Sequence, residues 1–155
     1  MTIRTESRNR IATSVRDVWA YLCDVGRWPE WAPTVLECWV HGGGPLQPGA
    51  QVEQRARLIL GLSRGRSQQV TAVEAPCSVA FAGPMGTSAA RWGMDLEPVD
   101  DRHTDATMWI EVDLKGVMRA IPSGLFKNRI QRVSDLEMVA IKAAVESAAP
   151  GGSDH

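Results

Sequence analysis

The chain has 155 residues, a formal net charge of −1 and a pI near 6.3. That length suits one domain with a core of its own, and the near balance of charge removes the long-range field that draws a protein onto nucleic acid or an anionic membrane. No apolar run approaches the ~20 residues that span a bilayer, and the charged stretch Met1 to Arg10 lacks the apolar segment of a signal peptide. Three cysteines, Cys23, Cys38 and Cys77, cannot all pair, so a reduced, cytoplasmic setting is expected.

From Ile3 to Ile11 the side chains alternate, with Arg4, Glu6, Arg8 and Arg10 on one side and Ile3, Thr5, Ser7, Asn9 and Ile11 on the other, the period of a β-strand. The uncharged side should face inward, yet Ser7 and Asn9 are polar, which suits a wall that meets something wet. Ser14 with Asp17 opens a helix whose Val15, Val18, Trp19 and Leu22 follow at helical spacing, and Gly26 closes it. In Trp28-Pro29-Glu30-Trp31-Ala32-Pro33 the first proline suits a helix start and the second forbids extension, leaving about one turn that presents two indoles.

Strands are then expected at Val35–Val40, Gln51–Leu60, Arg66–Glu74, Cys77–Ala82, Ala89–Glu97 and Asp105–Leu114, separated by glycine- and proline-rich turns. Connections this short imply antiparallel pairing, because a parallel crossover needs a dozen or more residues. By alternation Trp92, Met94 and Met108 point to the apolar face. Arg55, Arg57, Arg64 and Arg66 read as the solvated side of a hairpin.

The last long stretch, Ser123 to Ser147, is helical, with Leu125, Phe126, Ile130, Val133, Leu136, Ala140, Ala143 and Ala144 forming one broad apolar stripe. Arg129 and Glu137 fall within it. Eight residues apart, they cannot neutralise each other, so each must reach the rim or meet a wet cavity. The stripe thins from bulky residues to alanines, which assigns Phe126, Arg129 and Val133 to a cavity wall and Glu137 to the rim.

Two strings resemble hydrolase motifs, His41-Gly42-Gly43-Gly44 and Gly61-Leu62-Ser63-Arg64-Gly65, with Asp95 and His103 later in the chain. The nucleophile elbow needs a helix after the serine, however, and the residues that follow are alternating and β-rich. A glycine-bounded hairpin is the expectation. The three histidines have no metal-binding spacing, and Gly42 to Gly44 lacks the lysine and helix of a phosphate loop, so no metal or other cofactor is expected.

The element order, together with Ile11-Ala12-Thr13-Ser14, Val18-Trp19-Ala20-Tyr21-Leu22-Cys23-Asp24, Trp28-Pro29-Glu30-Trp31 and Leu114-Lys115-Gly116, resembles the START-related SRPBCC superfamily and, within it, the polyketide cyclase/dehydrase-like branch. The resemblance implies an α+β helix-grip fold: a curved antiparallel sheet of about seven strands wrapped around a long carboxy-terminal helix, with two short helices between strands 1 and 2. A single domain over residues 1–148 and a disordered tail over 149–155 are expected. The superfamily has no shared catalytic motif, so no catalytic residue is assigned.

A cavity for a hydrophobic, aromatic or polyketide-like small molecule follows from the resemblance, with no nucleic acid and no membrane span among its partners. Its expected lining is Trp28, Trp31, Trp92, Met94, Met108, Phe126 and Val133, with Ser7, Asn9, Gln54, Gln69 and Arg129 as polar contacts to a carbonyl or phenolate. Two other readings stay open: an aromatase/cyclase that shapes its substrate and moves protons by general acid/base catalysis, and a lipid-transfer or stress-related accessory protein. The sequence does not set the oligomeric state.

Overall fold

A computed structural model describes residues 2–57, 59–85 and 87–148; the expected tail over 149–155 lies outside the described residues. Seven strands form one antiparallel sheet: β1 (Thr2–Ile11), β2 (Val35–Val40), β3 (Gln51–Arg57), β4 (Ser63–Glu74), β5 (Ser78–Met85), β6 (Ser88–Asp100) and β7 (His103–Asp113). In space they run β1-β7-β6-β5-β4-β3-β2, so β1 and β2 are the edges. Helix α1 (Val15–Cys23) and a 3₁₀ turn (Val25–Glu30) connect those edges, and α2 (Ser123–Ala148) closes the fold.

Local chemistry sets most boundaries. Ser14 caps α1 by accepting from the Asp17 backbone N–H at 3.3 Å. Val18, Tyr21 and Leu22 then bury one face of the helix. The next turn is tied back when Trp28 Nε1 donates to the Leu22 carbonyl at 2.9 Å, which fixes one indole against the sheet. Strands β5 and β6 run longer than their sequence signals: Gly83 and Pro84, expected as a turn, are still paired with Ala90 and Ala89. Gly93, opposite Trp109, needs to be glycine because an added Cβ would lie 2.7 Å from both the Trp109 ring and the Val79 carbonyl.

Helix α2 buries a different face from the one its apolar pattern suggests. Phe126, Ser134, Met138, Ile141 and Val145 are buried, while Leu125, Val133, Leu136 and Val139 are exposed. The helix carries apolar residues on two sides, and the competing sides are decided by what lies beneath. That is β1, the edge strand on which α2 makes its main contacts. The seam is polar as well as apolar. Ser7 Oγ donates to Asp135 Oδ1 (2.6 Å), Gln131 Nε2 to the Glu6 carbonyl (2.8 Å), Lys142 Nζ to the Arg10 carbonyl (2.7 Å) and the Ala12 N–H to Glu146 Oε2 (2.7 Å). Residues 131, 135, 142 and 146 recur at intervals of four and seven, so they form one stripe that covers an otherwise open sheet edge. With α2 clamped to β1, parts of the inner face of β3 to β7 are left facing a space.

Candidate functional site: an apolar cavity with a titratable wall

That space is a cavity of about 450 Å³. Its aromatic wall comes from the 3₁₀ turn and β6. Trp28 stands edge-on to Trp92 at 5.4 Å and 65°, and Trp31 lies 5.8 Å from Trp28; all three indoles line the cavity. Behind them Phe81 stacks on Trp92 at 4.4 Å and 17°, a cross-strand pair of β5 and β6 that holds the wall flat. The Trp92 indole N–H is held by the Gln68 side-chain oxygen. Trp31 Nε1 is buried and makes no hydrogen bond. Met108, Phe126 and Ile130 extend the apolar lining. On the α2 side Arg129 is exposed and Val133 is 48% exposed, so the cavity opens to solvent between α2 and the sheet.

One wall is polar. Arg66 donates through Nε (3.1 Å) and Nη2 (2.8 Å) to Gln54 Oε1, and both residues line the cavity with Glu137. Burial pushes the Glu137 carboxyl up to about 7, with the Arg66 charge pulling in the opposite direction. A carboxyl poised near neutrality beside an apolar space can accept or give a proton. Burial raises the thiols of Cys23 and Cys38 to about 11 and about 12, so neither is a ready nucleophile.

Eight of the twelve expected lining residues therefore surround one space: Trp28, Trp31, Gln54 and Trp92 from the turn and sheet, Met108 from β7, and Phe126, Arg129 and Val133 from α2. Four lie elsewhere. Ser7 is bonded to Asp135 and Asn9 shares its strand, because the inner face of β1 is sealed by α2. Met94 is buried in the main core, one inward position beyond Trp92. Gln69 is exposed on the outer face of β4, where the inward residues are even-numbered, so Gln68 takes the place expected for it.

Glu137, read from the sequence as a rim residue, lines the cavity, and Arg66, exposed as its solvated reading expects, lines it as well. Counting inward from the buried Val70 along β4 reaches Gln68 and Arg66, a signal available in the sequence; Glu137 had none beyond its place in the stripe. The hydrolase strings assemble nothing: Ser63 starts β4, Asp95 accepts from Ser78 and His103 Nδ1 lies 2.9 Å from Asp100. Among the described residues no group of three His, Cys, Asp or Glu side chains could hold a metal ion, and no helix is long and apolar enough to cross a membrane.

The family model described as polyketide cyclase/dehydrase and lipid transport matches residues 2–146. The chain belongs to this family. Solved structures agree with the fold of this polyketide cyclase/dehydrase-like protein. A START superfamily protein from Mycobacterium smegmatis superposes with a TM-score of 0.74 at 17% identity, covering 93% of this chain and 97% of that one. The Zhui aromatase/cyclase from Streptomyces sp. R1128 superposes at 0.78 and 12% identity over 100% of both chains. One half of the di-domain aromatase/cyclase StfQ from the steffimycin biosynthetic pathway also matches, at 0.74 and 13% identity over 95% of this chain and 51% of that one. No curated relative matches the sequence. These likenesses establish the helix-grip architecture, and the family supports a hydrophobic ligand or polyketide-cyclase role at the coarse level.

Proposed function

We propose that this chain is a cytoplasmic protein that encloses a planar, largely apolar small molecule between the tryptophan wall and α2. The observation that carries this reading is the cavity of about 450 Å³, within the range that holds a small organic guest, lined by three indoles and touched by polar groups on one side. Burial of the guest's apolar area supplies affinity at ~25 cal/mol per Å². Arg66 and Arg129 offer donors to a carbonyl or phenolic oxygen, and Gln54 and Glu137 make the rest of the polar contact.

The test is native mass spectrometry of freshly purified protein, followed by thermal melts with fatty acids, flavonoids and polyaromatics. Polyaromatics or flavonoids are expected to raise the melting temperature. If no class does so and no copurified mass is found, the cavity is not a binding site.

A second reading, aromatase/cyclase activity, is favoured by one observation, the Glu137 carboxyl poised at about 7 near Arg66. In that reading Arg66 steadies an enolate oxygen while Glu137 moves the proton, and the cavity folds a poly-β-keto chain. Glu137→Gln is then expected to bind the chain but not to cyclise it. Equal turnover by the variant would remove Glu137 from the chemistry.

A further inference from the structure

Charge and apolar surface are segregated around the mouth of the cavity in a way the near-neutral total conceals. Besides the 3₁₀ turn and β5 to β7, four segments contribute to the lining: the segment before β2, the β3–β4 hairpin, the turn Gly116–Ala120, and the first turns of α2. Arg57 N–H donates to the Thr34 carbonyl at 2.7 Å, which binds the hairpin to the segment before β2, and Thr34 itself lines the cavity. Along the hairpin, Arg57, Arg64 and Arg66 occur with no carboxylate from Gln54 to Val73. From Leu114 to Ser134, Arg119, Lys127, Arg129 and Arg132 occur, again with no carboxylate.

Within these segments Arg55 is taken by Glu37 and Lys115 by Asp113, and outside them Arg4 and Arg91 share Glu111. Other carboxylates near this region have partners or places of their own, Glu53 accepting from Ser67 on the hairpin. Asp135 accepts from Ser7 and Gln131 on the β1 side, and Glu137 stands within the cavity. The same segments hold exposed aliphatic side chains. Leu60 at the hairpin tip is 91% exposed, Leu62 63%, Val117 78% and Leu125 65%. Val117 and Leu125 adjoin the lining residues Met118 and Phe126, and Leu60 and Leu62 stand on the hairpin between Gln54 and Arg66.

We infer that this rim docks the cavity mouth onto an anionic lipid bilayer. Cations attract the phosphate layer, and aliphatic side chains projecting among them enter the acyl boundary, the combination by which peripheral proteins hold to membranes. A nucleic-acid partner would call for exposed aromatic rings to stack on bases, and the rim offers aliphatic ones. An acidic protein could meet the cations but would leave the hairpin-tip leucine in water. Docking places the cavity opening against the apolar layer, so an apolar guest passes between bilayer and cavity without crossing water.

The experiment is flotation of the full chain with phosphatidylcholine vesicles, with and without about one-third phosphatidylglycerol. No cavity ligand is needed, so failure here leaves the cavity reading standing, and an empty ligand panel leaves a positive flotation result standing. Binding is expected to anionic vesicles only, and to fall away in ~1 M salt, where screening acts within ~3 Å. The triple variant Arg64→Ala, Arg119→Ala, Lys127→Ala should lose about fivefold per cation, on the order of a hundredfold in all, with an unchanged melting temperature. A second variant, Leu60→Ser with Leu62→Ser, should lose binding while retaining its charge. Equal binding to neutral vesicles, no binding to anionic ones, or wild-type binding by both variants overturns the inference. Stronger binding to polyglutamate than to vesicles assigns the rim to an acidic protein instead, and a stable dimer formed through the rim without lipid assigns it to a second copy.

Discussion

Glu137 is the residue whose environment departs furthest from its sequence reading. Its folded pKa of about 7 stands above an ordinary value of 4.5, so between those two pH values the folded protein keeps a proton that the unfolded chain has released. Stability from this group is therefore greatest at low pH, falls as pH rises from about 4.5, and reaches its full cost above about 7. The shift corresponds to at most roughly 3 kcal/mol, reduced by solvent at the open side of the cavity. Glu137→Gln removes the titration. It should melt higher than wild type above pH 7 and converge with it toward pH 4.5, as thermal melts across that range would register. A constant difference at every pH would mean that the carboxyl does not titrate in the cavity.

Within α2 two apolar sides compete, and packing on β1 selects one of them. Met138 is 1% exposed and Leu136 65%, although both are long apolar residues two positions apart. Met138→Ala should cost ~2–5 kcal/mol because it opens a void in a sealed seam, whereas Leu136→Ala should stay within ~0.5 kcal/mol. Urea unfolding of the two variants checks this, and equal costs would return the helix to the face its sequence pattern suggests. The aromatic wall has a similar logic at the level of strands. Register pairs Phe81 with Trp92, and the 3₁₀ turn sets Trp28 across both rings at 5.4 Å, so one hairpin and a turn distant from it in sequence build one surface.

For the molecule as a whole, the sheet is clamped to α2 along β1 and lines the cavity from β3 to β7, and the cavity is what that asymmetry leaves. Val133 stands at the open side, lining the cavity while half exposed. Val133→Trp should narrow the opening and weaken binding of any polyaromatic that stabilises the wild type, with little change in the melting temperature of the empty protein. Unchanged affinity in titration calorimetry would place guest access elsewhere. The antiparallel sheet, the capped α1, the two-indole turn and the long final helix were legible in the sequence, because hydrophobic period, capping residues and proline positions are local properties of the chain. The inward face of β6 and β7 was legible for the same reason: alternation reached Trp92 and Met108 from neighbouring residues alone. Other features depend on which surfaces meet: the choice of α2 face, the sealing of Ser7 and Asn9 beneath it, the one-residue parity that puts Gln68 rather than Gln69 in the wall, and the approach of Arg66 to Glu137. Sequence set the elements through short-range periodicity; the tertiary structure decided the site, since burial, a shifted pKa and a segregated rim of charge arise only between residues that the fold brings together.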